Sequence, residues 1–222
     1  MVEFEELRLL WKPYEELKNP PAEKIRLWSA GGCGIWISDE WGPAVPYPAV
    51  DHGNGNLNHG YRRLKGIGGA VSLIPEARDW PELQKFLETV NAESSPIESV
   101  GCEKAFFTDE KNTPPIYLPI YLGSYTDVVF TEAALNDRPE NLLLLASRLA
   151  NAVEGCDRWW ATVSLVLQRE KILPGAVAPW GLMIHVTNHG RTEDEARKFW
   201  GETLLRLGKS VAELPRDFRF VE

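Results

Sequence analysis

Two hydrophobic periods alternate along this chain. Apolar residues three and four apart mark helices, and apolar residues at every second position or in short runs mark strands. Leu83, Phe86, Leu87 and Val90 share one helical face behind Asp79-Trp80-Pro81-Glu82. That tetrad reads as a capping box with Asp79 as N-cap and Glu82 three positions on. Leu142, Leu145, Ala146, Leu149 and Val153 repeat the pattern behind Asp137-Arg138-Pro139-Glu140. Proline in a first turn costs no helical hydrogen bond. Thr192-Glu193-Asp194-Glu195 opens a third helix, with Ala196, Phe199, Trp200, Leu204, Leu207 and Val211 at core spacing and Pro215 as its stop. A fourth helix is expected at Phe4, Leu7, Leu10, Trp11, Tyr14 and Leu17, where Pro13 predicts a kink or an early end.

In chain order, each of the first three helices (at the N-terminus, 79 and 137) is followed by a strand-like run, at 25–38, 97–108 and 157–169. A second β-rich run follows each of these, at 70–74, 116–130 and 180–187. Gly123-Ser124 interrupts 116–130, so one strand or two fit there. The alternation Phe218, Arg219, Phe220, Val221 predicts a short last strand. The chain thus reads as one domain, 1–222, of three αββ units over 1–78, 79–136 and 137–191, closed by a helix and strand over 192–222. Hairpin connections imply antiparallel pairing, and amphipathic helices need a sheet face to cover. The expected fold is α+β: a two-layer sandwich of a mainly antiparallel sheet with helices on one face. Residues 70–169 follow the β-α-β-β-α-β order of ferredoxin-like folds, an architectural analogy without functional content.

All three cysteines follow a glycine, in Gly32–Ser38 (GCGIWIS), Gly101–Thr108 (GCEKAFFT) and Gly155–Thr162 (GCDRWWAT). The recurrence suggests an internal repeat, with the cysteines as small core residues. An odd cysteine count argues against a disulfide framework and for a reducing, cytoplasmic setting. No run of 18 apolar residues is present, so no membrane span is expected. The chain carries a net charge of −8, and residues 79–140 hold 12 acids against 4 bases. Phosphates need a basic surface, so nucleic acid is not an expected partner. A basic protein is, because opposite charge speeds association.

Cys33 precedes His185 and Asn188, the chain order of papain-like enzymes, which it resembles in that respect alone. Such a nucleophile usually opens a helix, whereas Ile35-Trp36-Ile37 reads as a strand. The first unit also holds extra length between its strands, over 41–69. That stretch starts with a proline-rich run containing Trp41 and Tyr47. It continues with Asp51, His52 and His59 among glycines and asparagines, then Arg62, Arg63 and Lys65. Exposed backbone N–H groups and these bases suit an anion. Asp51, His52 and His59 suit a divalent metal, and the second local histidine pair, His185 and His189, would complete a site if the fold brought it near. Nine tryptophans supply core and interface anchors, with Trp41 the expected exposed one.

Two functional readings follow. The first is a non-catalytic binding protein without a cofactor. It would engage a partner through Trp41, Tyr47, Asp51, His52, His59, Arg62 and Arg63. Its small, acidic, tryptophan-containing character is that of immunity proteins and other toxin inhibitors. The second is a metal- or anion-binding enzyme built on the loop over 51–69 with His185 and His189.

Overall fold

The computed structural model of the protein describes residues 1–14, 23–38, 45, 48–51, 53, 57–108, 118–156, 161–170 and 179–220. In chain order its elements begin with helix α1 (Phe4–Trp11) and strands β1 (Ile25–Ala30) and β2 (Cys33–Ile37). A short pair, β3 (Val50–Asp51) and β4 (Leu57–Asn58), comes next. It is followed by α2 (Pro81–Val90), β5 (Ile97–Thr108) and β6 (Ile120–Phe130). The chain continues with α3 (Pro139–Ala152), β7 (Ala161–Arg169), β8 (Trp180–Gly190) and α4 (Glu193–Ala212). Six strands form one sheet in the order β1-β2-β7-β8-β6-β5. Every neighbouring pair is antiparallel except β2 and β7, which run parallel. The α+β class and the mainly antiparallel sheet are as the sequence patterns predict.

The sheet's two faces separate by the strand period of two. One face carries Ile35, Ile37, Val163, Leu165, Leu167, Leu182, Ile184, Val186, Leu122 and Val128, all buried in one core with the helices. Helix side chains also bond to this face. Trp200 of α4 donates its indole N–H to Ser124 Oγ at 2.8 Å. Asn188 Nδ2 donates to Thr203 Oγ1 at 3.2 Å. Trp11 of α1 meets Trp180 edge-on, with centroids 5.4 Å apart.

Several local expectations are corrected. Residues 70–74 are not a strand: Val71–Leu73 form a 3-10 turn that runs into another at Pro75–Ala77. The ferredoxin-like order over 70–169 therefore lacks its first strand. The partner of β1 is instead β2, reached by a tight turn at Gly31-Gly32, both with positive φ. The run 25–38 is thus a complete hairpin, and Trp28 pairs with Ile35 across it. Strand β6 passes unbroken through Gly123 and Ser124. Residues 218–220 are not a strand; Phe218 stacks on Phe130 and Phe220 packs tilted against Phe4. Aromatic burial, not pairing, explains their alternation.

Asp79 does not cap α2. It takes φ 64° and leaves Trp80 at the N-cap without a side-chain bond. Glu82 turns instead to Arg197 of α4, whose Nε and Nη2 donate to its two oxygens at 3.1 and 3.0 Å. The third box forms as expected. Glu195 N–H donates to Thr192 Oγ1 at 3.1 Å, and Arg191 N–H donates to Glu195 Oε2 at 2.7 Å. Pro13 ends α1 early: Lys12–Tyr14 tighten into a 3-10 turn.

Candidate functional site

The sheet face opposite the helix core carries the polar chemistry. Register sets out its rows. Ser164, His185, Tyr125 and Glu103 stand side by side on β7, β8, β6 and β5. One row further, Trp36, Val166, Met183 and Asp127 align across β2, β7, β8 and β6. In the other direction, Thr162, Thr187 and Gly123 align, and beyond them His189 opposes Tyr121. The His189 and Tyr121 rings lie 5.4 Å apart. Burial lowers the pKa of both histidines, and the positive charge of Lys24 lowers that of His185 further. Both therefore stay largely neutral at pH 7.

This second face has an open half and a covered half. Ser164, His185, Tyr125, Thr187, His189 and Tyr121 are half-buried and Thr162 is exposed. Towards the other end Val166, Gln168, Asp127 and Val129 are buried. Val45, Val100 and Val129 cluster there with Tyr61. Val45 and Tyr61 thus help to cover this end of the sheet.

At the covered end lies a buried acid pair that the sequence analysis missed. Gln168 Nε2 donates to Asp127 Oδ1 at 3.4 Å and to Glu170 Oε1 at 3.2 Å. Asp127 is 2 % exposed and Glu170 0 %. Burial pushes the Asp127 carboxyl up to about 7. Burial raises Glu170 well above the usual carboxylate range, and the charge of Asp127 raises it further. Neither residue stands in a motif. The only signal in the sequence is an acid at an inward-alternating strand position, Asp127 between Tyr125 and Val129.

Cations gather at the opposite edge. Lys24 Nζ lies 5.1 Å from the Trp36 ring centroid and Arg26 Cζ 6.0 Å from it, within cation–π range. A Cβ on Gly34 would fall 2.7 Å from Trp36 Nε1, so the glycine makes the seat for this indole. The second face is therefore polarised. Lys24 and Arg26 stand at its β1 side, and Glu98, Glu103 and Asp127 at its β5–β6 side.

The sequence-predicted site residues are dispersed. Trp41, Tyr47 and His52 lie outside the described residues. Asp51 is exposed and its Oδ1 accepts from Gly53 N–H at 2.8 Å, a local turn. His59 lines a cavity of about 30 Å³ against the outer edge of β5, with Tyr61, Arg62, Glu76 and Cys102 around it. His185 and His189 lie on β8, two strands inward. Among the described residues, no three His, Cys, Asp or Glu side chains stand close enough to hold a metal ion. The bases of the loop bond to the protein itself. Arg62 Nη1 donates to Leu73 O at 3.3 Å, and Arg63 pairs with Glu98 at 3.5 Å. Lys65 Nζ donates to the carbonyls of Ser95 and Ile97.

The papain-like order does not become a site. Cys33 faces the helix core, 3 % exposed, with its thiol pushed up to about 12 by burial. His185 faces the other side of the sheet. The three Gly-Cys pairs also occupy different places. Cys33 opens β2, Cys102 lies inside β5 just past an irregularity at Ser99–Gly101, and Cys156 precedes β7. All three cysteines are free. No helix is long and apolar enough to cross a membrane among the described residues. No family model, curated protein or solved structure matches this chain.

Proposed function

We propose that this chain is a non-catalytic binding protein that engages a basic protein partner through the open half of its second sheet face. The Tyr125–His185 and Tyr121–His189 pairs at the centre of that half carry the reading. Half-exposed aromatic rings with polar tips are the side chains that anchor protein interfaces. A rigid central pair of strands holds them, so little ordering cost opposes binding. Glu103 of β5 is exposed on this face beside Tyr125, which places negative charge at its β5 side. A basic partner is drawn to that side and turned away by Lys24 and Arg26, which fixes its orientation. The three free thiols support action in the cytoplasm. The successions α1-β1-β2, α2-β5-β6 and α3-β7-β8 support three copies of one αββ unit as the scaffold.

The test is affinity capture from the native host, followed by binding isotherms with the captured partner at two salt concentrations. Saturable binding that weakens with salt, and weakens at least tenfold in Tyr125→Ala/His185→Ala, is expected. Equal binding by wild type and this double variant, with the variant folded, overturns the reading.

A further inference from the structure

The buried acid pair has two members held with different firmness. Asp127 sits in the middle of β6, whose backbone pairs with β5 on one side and β8 on the other. Glu170 lies one residue past the end of β7. Its N–H donates to Pro179 O at 2.9 Å, and its side chain folds over Gly181 of β8. A Cβ at position 181 would stand 2.6 Å from Glu170 Oε1, so the carboxyl occupies the space that a side chain would need. Gln168 offers one amide nitrogen to both acids. Glu170 Oε2 is buried with no hydrogen-bond partner among the described residues.

This geometry accommodates one negative charge at most. Two ionised carboxylates sharing one neutral donor, away from water, repel each other strongly. Among the described residues, the groups facing the pair do not relieve this. Glu103 and Glu98 from β5 are further acids, Glu98 paired with Arg63 at 3.5 Å. Tyr125 stands on β6 and His185, its pKa lowered by burial, on β8, and β7 presents Gln168, Val166 and Ser164. From β2 the facing residue is Trp36, and the cations Lys24 and Arg26 lie beyond it at the far edge. The Cys102 thiol of β5 also feels the Asp127 charge.

We infer that Asp127 and Glu170 form a proton-controlled latch: Glu170 stays folded over Gly181 while the pair keeps a proton and swings out to water when that proton leaves. Glu170 moves because it stands at a strand end, and Asp127 stays because its strand is central. Opening uncovers Gly181 and the Gln168 amide at the covered end of the second face. Asp127 ionises near pH 7, which leaves the pair one proton and the latch closed. The closed form is lost only as pH rises past the Glu170 carboxyl, which burial and then the Asp127 charge hold well above the usual carboxylate range.

The Gln168 carboxamide reports the latch directly. Its water-exchange rate is measured by nuclear magnetic resonance on the full chain from pH 5.5 to 9. Gln84 is the reference, since its Nε2 donates to Ala77 O at 3.0 Å far from the pair. The ratio removes the intrinsic pH dependence of exchange. In wild type it stays low while the pair keeps one proton and then rises by up to about tenfold per pH unit as the last one leaves, the slope of one released proton. In Asp127→Asn it stays flat and low. Glu170→Gln gives the same flat profile and serves if the first variant does not fold. A flat ratio in wild type overturns the latch, as does titration of both carboxyls below pH 5 by their carbon shifts.

Discussion

The thiol of Cys156 donates to the carbonyl oxygen of Gly31 at 3.3 Å. A Cβ on Gly31 would stand 3.4 Å from the backbone nitrogen of Gly155. The Gly155-Cys156 pair at the end of α3 therefore meets Gly31, the residue before the Gly32-Cys33 pair, at the β1–β2 turn. This contact seats the hairpin of β1 and β2 beside β7, where the one parallel pairing among the described strands begins. Gly31 and Gly155 both have positive φ, 54° and 74°, a region that side chains disfavour.

Gly31→Ala and Gly155→Ala should each lose about 1–2 kcal/mol from left-handed backbone strain. Denaturant unfolding measures this. The double variant should lose less than the sum, because the two positions share one contact. Additive losses would show that the contact carries no coupling.

Gly181→Ala should destabilise the fold by about 1–3 kcal/mol, the usual cost of overpacking, because the new methyl would meet the Glu170 carboxyl. Adding Glu170→Ala should restore much of that loss. A double variant no more stable than Gly181→Ala would place the collision elsewhere.

Global stability should fall as pH rises from about 4 to 7. The Asp127 carboxyl titrates near 7 in the fold against 3.8 in the unfolded chain. The folded state thus binds this proton more tightly, and its stabilising effect is present in acid and lost as pH rises through 7. The slope reaches about 1.4 kcal/mol per pH unit for one proton. Asp127→Asn should make it shallower, Glu170 keeping the part that burial sets, and stabilise the protein at pH 8, as read by urea unfolding at fixed ionic strength.

Thr192→Ala should cost about 1 kcal/mol, the usual loss of an N-cap bond. Asp79→Asn should cost less than a few tenths, since Asp79 makes no cap and asparagine tolerates positive φ. Thermal melts of the two variants would invert this order if the box at Asp79 formed in solution.

Legibility varied with the range of the interaction. The four amphipathic helices could be read because their faces repeat within a few residues. The capping box at Thr192 could be read for the same reason. The box at Asp79 failed because Glu82 has a better partner 115 residues away, the Arg197 guanidinium. The run over 70–74 looked like a strand because Val71 and Ile74 are buried, but two short 3-10 turns bury them equally well. His59 and His185 looked like one site, yet they belong to different strands' surroundings.

The sequence by itself determined the α+β class, the helix faces and the alternation that divides each strand between two sides. Those follow from covalent periods of 3.6 and 2, which need no distant partner. Only the tertiary structure decided the strand order and the packing of Val45 and Tyr61 at one end of the second face. It alone also brought Asp127, Gln168 and Glu170 together. Burial and the shared amide donor, not residue type, set the proton affinity of these acids, and both arise only when β6, β7 and β8 lie side by side.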